Sequence, residues 1–104
     1  MKILGVDPGF GRCGFAILDV SNKSKPTLCA FGTITTEPNS PFPARLHELA
    51  TDFESLFKKW EPEVVSIEDL FFGTNTTTAL RVAGARGVIL LLAERAGCRV
   101  VEPK

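Results

Sequence analysis

Hydrophobic positions along this chain come in short runs separated by polar or glycine-rich breaks. Residues 2–7 (Lys-Ile-Leu-Gly-Val-Asp) read as a short buried strand that ends on an acid. Residues 8–11 (Pro-Gly-Phe-Gly) form a turn with two glycines able to take positive φ. Residues 13–20 read as a second strand and 21–26 as a polar hairpin loop. Residues 27–35 alternate and are rich in β-formers, a third strand. The short links predict an antiparallel meander of these three strands.

After a breaker cluster at 38–43 the period changes. Leu46, Leu49, Ala50, Phe53, Leu56, Phe57 and Trp60 fall on one face of an amphipathic helix. Arg45, Glu48, Asp52, Glu54, Lys58 and Lys59 lie off that stripe, on the polar side, and Glu61-Pro62 stops the helix. Residues 63–68 predict a fourth strand, again ending on an acid. Thr74, Asn75 and the threonines after them supply cap residues for a second helix over about 76–96. Its apolar residues leave almost no polar face, which predicts burial on more than one side. Gly97 suits the position after the helix, and 99–101 predict a fifth strand.

The order β-β-β-α-β-α-β predicts an α/β fold. Its mixed five-stranded sheet has strands one to three antiparallel, strands four and five parallel, and two long helices packed on it. The last two strands each follow a helix, so right-handed crossovers bring them in as parallel neighbours.

Composition narrows the classes of function. The 104 residues make one domain, 44% hydrophobic and 23% charged, which is ordinary for a globular chain. Twelve basic and twelve acidic side chains cancel, which excludes a histone-like, charge-driven binder but leaves room for a local basic face. The longest uncharged apolar run, 87–93, is far too short to span a bilayer. Asp7 interrupts any signal-peptide core, so no membrane association and a cytoplasmic location are expected. Cys13, Cys29 and Cys98 are scattered and His47 is the one histidine, which argues against zinc and for reduced, structural thiols.

The candidate chemistry sits on the strand-terminal acids. If the first and fourth strands are parallel neighbours, Asp7 and Glu68 converge at the carboxyl edge of the sheet, where α/β sites form. Paired carboxylates with water hold Mg²⁺, a hard cation that prefers oxygen. Asp69 points the opposite way if the strand continues. The plainer readings are a turn acid at Asp7, satisfied by the Gly9 and Gly11 amides, and a surface acid at Glu68. Asp7-x-Gly9 followed by Gly14 also matches the opening phosphate loop of actin-like ATPases.

Three blocks together resemble a known family. Residues 1–9 with Gly14, Ile67-Glu68-Asp69-Leu70-Phe71, and Asn75-x-x-x-Ala79-Leu80-x-x-x-Gly84-Ala85-Arg86-Gly87-Val88 look like RuvC, the Holliday-junction resolvase, in collinear order. The 67–88 block is the more specific. The resemblance implies an RNase H-like fold and Mg²⁺ or Mn²⁺ as cofactor. It implies a homodimer through the second helix, and nicking of four-way DNA junctions in recombination and repair. A junction-binding branch-migration complex is the further partner it implies.

By position, Asp7 and Glu68 would be metal-holding catalytic carboxylates, and Phe71 an aromatic that touches DNA. Asn75, Arg81 and Arg86 would contact DNA, in an acid-free stretch suited to phosphate. A salt-bridged arginine remains the competing reading for Arg81 and Arg86. The family's last two catalytic aspartates lie on a final helix beyond the point where residue 104 aligns. Residues 1–104 therefore read as a nuclease domain without that helix, and as an inactive fragment. A non-catalytic module that binds branched DNA or dimerises is the alternative, as is an actin-like phosphate-binding fragment. YqgF-type nucleases share the opening motif but fit 67–88 less well.

Overall fold

A computed structural model of the protein describes residues 1–9, 11–22, 24–68 and 76–103. Strands β1 (Lys2–Asp7), β2 (Arg12–Asp19) and β3 (Thr27–Thr35) are followed by α1 (Phe42–Trp60), β4 (Val64–Ile67), α2 (Thr76–Arg95) and β5 (Arg99–Val101). The sheet order is β3-β2-β1-β4-β5. β1, β2 and β3 pair antiparallel, while β4 lies parallel to both β1 and β5. The mixed sheet expected from the sequence is the one that forms, with β1 at its centre.

Some boundaries move, each for a local reason. α1 begins at Phe42, inside the breaker cluster, because Pro43 occupies its first turn, where no amide is needed. It ends on Glu61, whose left-handed backbone (φ 47°) lets its N–H donate to the Phe57 carbonyl. β4 stops at Ile67, so Glu68 follows the strand rather than ending it. Gly97 has φ +74°, as its place after α2 requires.

The core is a single cluster. Leu4, Val6, Cys13, Ile17, Ile34, Val65 and Ile67 from the sheet meet Leu49, Phe53 and Phe57 of α1 and Ile89, Leu92 and Ala93 of α2. Both helices therefore cover one face of the sheet. Gly5, Gly14, Ala16 and Ser66, which are opposite one another in the registers Gly5–Ala16, Asp7–Gly14 and Gly5–Ser66, lie on the other face. Cys13 and Cys98 are buried, and the three cysteines are unpaired thiols. Among the described residues, no helix is long and apolar enough to cross a membrane.

Two sequence expectations need correction. Arg45, placed on the polar side of α1, is buried at 9% exposure. It continues the four-residue ladder of Leu49, Phe53 and Phe57, because the first turn of α1 overhangs the turn after β1. Its Nε donates to Thr36 Oγ1 at 3.0 Å. The second correction concerns α2. Ala85, Ile89, Leu92 and Ala93 are buried, but Leu80 and Leu91 remain 72% and 50% exposed. One copy of the chain covers only part of this apolar helix, since sheet and α1 both approach it from the core side.

Candidate functional site

Val6 and Ile67 are the last Cα partners of the parallel β1–β4 pair. Asp7 and Glu68 are the next residues along each strand, so the two carboxylates leave the sheet at the same end, on adjacent chains. Both line an open cleft of about 670 Å³ whose floor includes Gly5, Gly14, Ala16 and Ser66. Small residues there leave the face beside Asp7 unobstructed. Both acids are exposed. Two neighbouring carboxylates repel, and a cation between them relieves that repulsion.

The turn that presents Asp7 is held by other groups than its carboxylate. Among the described residues no Gly9 or Gly11 amide donates to Asp7, so the turn-acid reading is not what this turn uses. Instead the Thr36 amide donates to the Gly11 carbonyl at 3.2 Å, and the Cys13 thiol to the Gly9 carbonyl at 3.6 Å. Gly11 takes φ +83°, and a Cβ on it would lie 2.8 Å from a terminal nitrogen of Arg45. At Gly9 the demand is for space: a Cβ would fall 2.3 Å from the Arg12 carbonyl oxygen. Burial raises the pKa of the Cys13 thiol, and the Asp7 charge raises it further, so the thiol stays neutral beside the acid.

The basic candidates divide. Arg86 Nε donates to the Glu68 main-chain carbonyl at 3.2 Å, and its Nη2 is ion-paired with Glu102. The guanidinium of Arg81 stacks over the Phe42 ring, 4.7 Å from its centroid. Both arginines thus have intramolecular partners. Phe71 and Asn75, like Asp69, lie outside the described residues.

The donor set fits a hard cation. It consists of carboxylate oxygens, exposed and adjacent, with open space for water to complete the shell. Among the described residues no three His, Cys, Asp or Glu side chains group closely enough to hold a metal. Glu102 follows Val101, the register partner of Ser66, and so shares this sheet edge, but Arg86 engages it. The sequence led to the expectation that Asp7 and Glu68 converge and offered a salt-bridged Arg86, but it gave no sign that Glu102 is the partner. Sixteen residues separate Arg86 from Glu102, and no periodic signal links them.

Comparison with known proteins places these features in a family. Residues 3–103 match the family model for crossover junction endodeoxyribonuclease RuvC. A crossover junction endodeoxyribonuclease RuvC of Heliobacterium modesticaldum is 43% identical over 104 residues, which is 100% of this chain and 64% of that protein. The one from Brevibacillus brevis is 43% identical over 98% of this chain and 61% of its own length. T. thermophilus RuvC, solved in complex with a Holliday junction substrate, superposes with a TM-score of 0.88 at 26% identity. The match covers 98% of this chain and 63% of that one. The chain thus spans a little over six-tenths of the length of these relatives.

Proposed function

The chain belongs to the RuvC family of crossover junction endodeoxyribonucleases, and from that premise we propose that it contributes Asp7 and Glu68 to a metal-dependent endonuclease acting on four-way DNA junctions. The observation that carries this reading is the parallel β1–β4 register, which brings the acid ending β1 and the acid just after β4 into one open cleft. Mg²⁺ or Mn²⁺ on those oxygens would supply positive charge at the scissile phosphate and make water a better nucleophile. The chain's own part is to hold the two carboxylates fixed and exposed. The sheet fixes the strands that lead to them, which are locked by ladder bonds and a buried core.

Junction DNA is the proposed partner, touched by Phe71, Asn75 and Arg81. Stacking or wedging against bases is what a phenylalanine ring supplies. Arg86 brings positive charge beside Glu68, although the bonds it already makes support a structural task for it. A second copy of the chain is the other proposed partner. The exposed Leu80 and Leu91 of α2 flank Gly87, which has open space around it. Two copies joined there would carry two sites, as paired nicks require. A branch-migration complex would act on the same junction in the cytoplasm. Among the described residues no third acid joins Asp7 and Glu68 in a metal-holding group, which supports a second reading, in which these 104 residues bind branched DNA without cutting it.

The test is binding of a four-way junction against a linear duplex of the same sequence, with Mn²⁺ line broadening mapped by NMR. Preference for the junction, and broadening centred on Asp7 and Glu68, are expected. Equal affinity for both DNAs, with broadening elsewhere, would overturn the reading.

A further inference from the structure

Glu68 lies just past the ladder that fixes its strand. Val6–Ile67 is the last β1–β4 pair and Ser66–Val101 the last β4–β5 pair. Its carbonyl lies beyond the last strand pairs. Arg86 takes that carbonyl with Nε at 3.2 Å while Nη2 of the same group holds Glu102. Three elements meet at one guanidinium: α2 supplies it, the exit of β4 the carbonyl, and the exit of β5 the carboxylate.

A guanidinium fork is planar, so anchoring one prong on Glu102 fixes the direction of the other. The arginine side chain is 14% exposed and the Glu102 side chain 48%. A pair this open adds little to global stability. Its effect is local: it determines where the chain turns at Glu68. It also neutralises Glu102, a further acid at this end of the sheet.

We propose that Arg86 is a positioning residue, a clasp between Glu102 and the Glu68 carbonyl that sets the Glu68 carboxylate opposite Asp7. The clasp makes Glu68 a fixed ligand and keeps Glu102 out of the donor set. The inference rests on the reading of Glu68 as a metal carboxylate and assigns to Arg86 a task other than phosphate contact.

Arg86→Lys is the informative variant. It keeps the positive charge and the reach to Glu102 but loses the fork. Arg86→Gln would also remove a positive charge and release Glu102, and each change by itself favours a cation. The dissociation constant for Mn²⁺, read by EPR of the free ion, is compared for the 104-residue chain, Arg86→Lys, Glu68→Gln and the double variant. Arg86→Lys is expected to weaken Mn²⁺ about tenfold, the low end for partners that orient metal ligands. In the Glu68→Gln background it is expected to change nothing. An equal loss in both backgrounds overturns the clasp.

NMR of the metal-free protein separates this proposal from the metal reading. Arg86→Lys is expected to shift the Glu68 carbonyl carbon. It should also lower the Glu68 amide order parameter from about 0.85 toward 0.6, with Val65 unchanged. If the wild type shows no Mn²⁺ binding through Glu68, the metal reading fails and the NMR comparison still decides the clasp. An unchanged Glu68 carbonyl shift and order parameter overturn it.

Discussion

The ring of Phe42, at the start of α1, lies against Gly84 of α2: a Cβ on Gly84 would meet ring carbon Cζ at 3.0 Å. Arg81 stacks on the same ring. A Cβ on Gly87 would meet nothing within 4 Å beyond its own turn of helix. Both glycines cost the helix about 1 kcal/mol relative to alanine, yet only Gly84 gains an internal contact in exchange. Gly87→Ala should therefore stabilise dilute, monomeric protein by about 1 kcal/mol. Gly84→Ala should gain less or lose, because a ring held by Arg81 must shift. Urea denaturation of the two variants checks this, and equal gains would show that Phe42 yields freely.

The exposed face of α2 leads to a second expectation. Leu91→Lys places a charge in the patch formed with Leu80, and should leave the chain monomeric in analytical ultracentrifugation. Because Leu91 is half exposed, monomer stability should change by about 0.5 kcal/mol or less. A wild type that is already monomeric at high concentration would remove α2 as a self-association surface.

Arg45 joins α1 to the turn behind Asp7. Replacing it by alanine removes the donor to the half-buried Thr36 hydroxyl and opens space under Gly11, so a loss of about 1–3 kcal/mol is expected. Arg45→Lys should recover only part, since one ammonium cannot match the fork. Urea midpoints measure both, and a loss under 1 kcal/mol for alanine would deny the brace.

Burial raises the Cys13 and Cys98 thiols above the ordinary value of 9.0. In the unfolded chain both ionise near that value, while the native thiols keep their protons. Above pH 9 the unfolded state thus binds fewer protons than the native state, and stability falls as pH rises. Below pH 9 neither state ionises and the effect vanishes. Denaturation from pH 8 to 10.5 should show this decline, reduced in Cys13→Ala. Thiol titration at pH 8 should modify Cys29 first.

Cleavage is the last expectation. Two-ion hydrolysis needs several carboxylates to hold both cations against their repulsion, and among the described residues Asp7 and Glu68 are the acids that line the cleft. The 104-residue chain should bind a junction in a salt-sensitive way, with a slope near 0.9 per phosphate contact, and not nick it with Mg²⁺ or Mn²⁺. Paired symmetric nicks that vanish in Asp7→Asn would show that two carboxylates suffice.

The sequence by itself determined the element order, the ends of β1 and β3, the stripe of α1, and the placing of an acid at the end of β1 (Asp7) and at the exit of β4 (Glu68). Each of these is written in local periodicity, in breakers and in residues adjacent along the chain. The family resemblance was also legible, since it rests on motifs at fixed spacing. Only the tertiary structure decided that β1 lies between β2 and β4, because strand order depends on which crossover packs a helix on which face. It alone buried Arg45, whose surroundings come from β3 and the first turn. It alone showed that α2 keeps Leu80 and Leu91 exposed, since coverage depends on how α1 and the sheet approach. The Arg86 clasp on Glu68 and Glu102 belongs to the same class. Its three members lie on separate elements, and nothing in local sequence records a contact made only when a sheet edge closes against a helix.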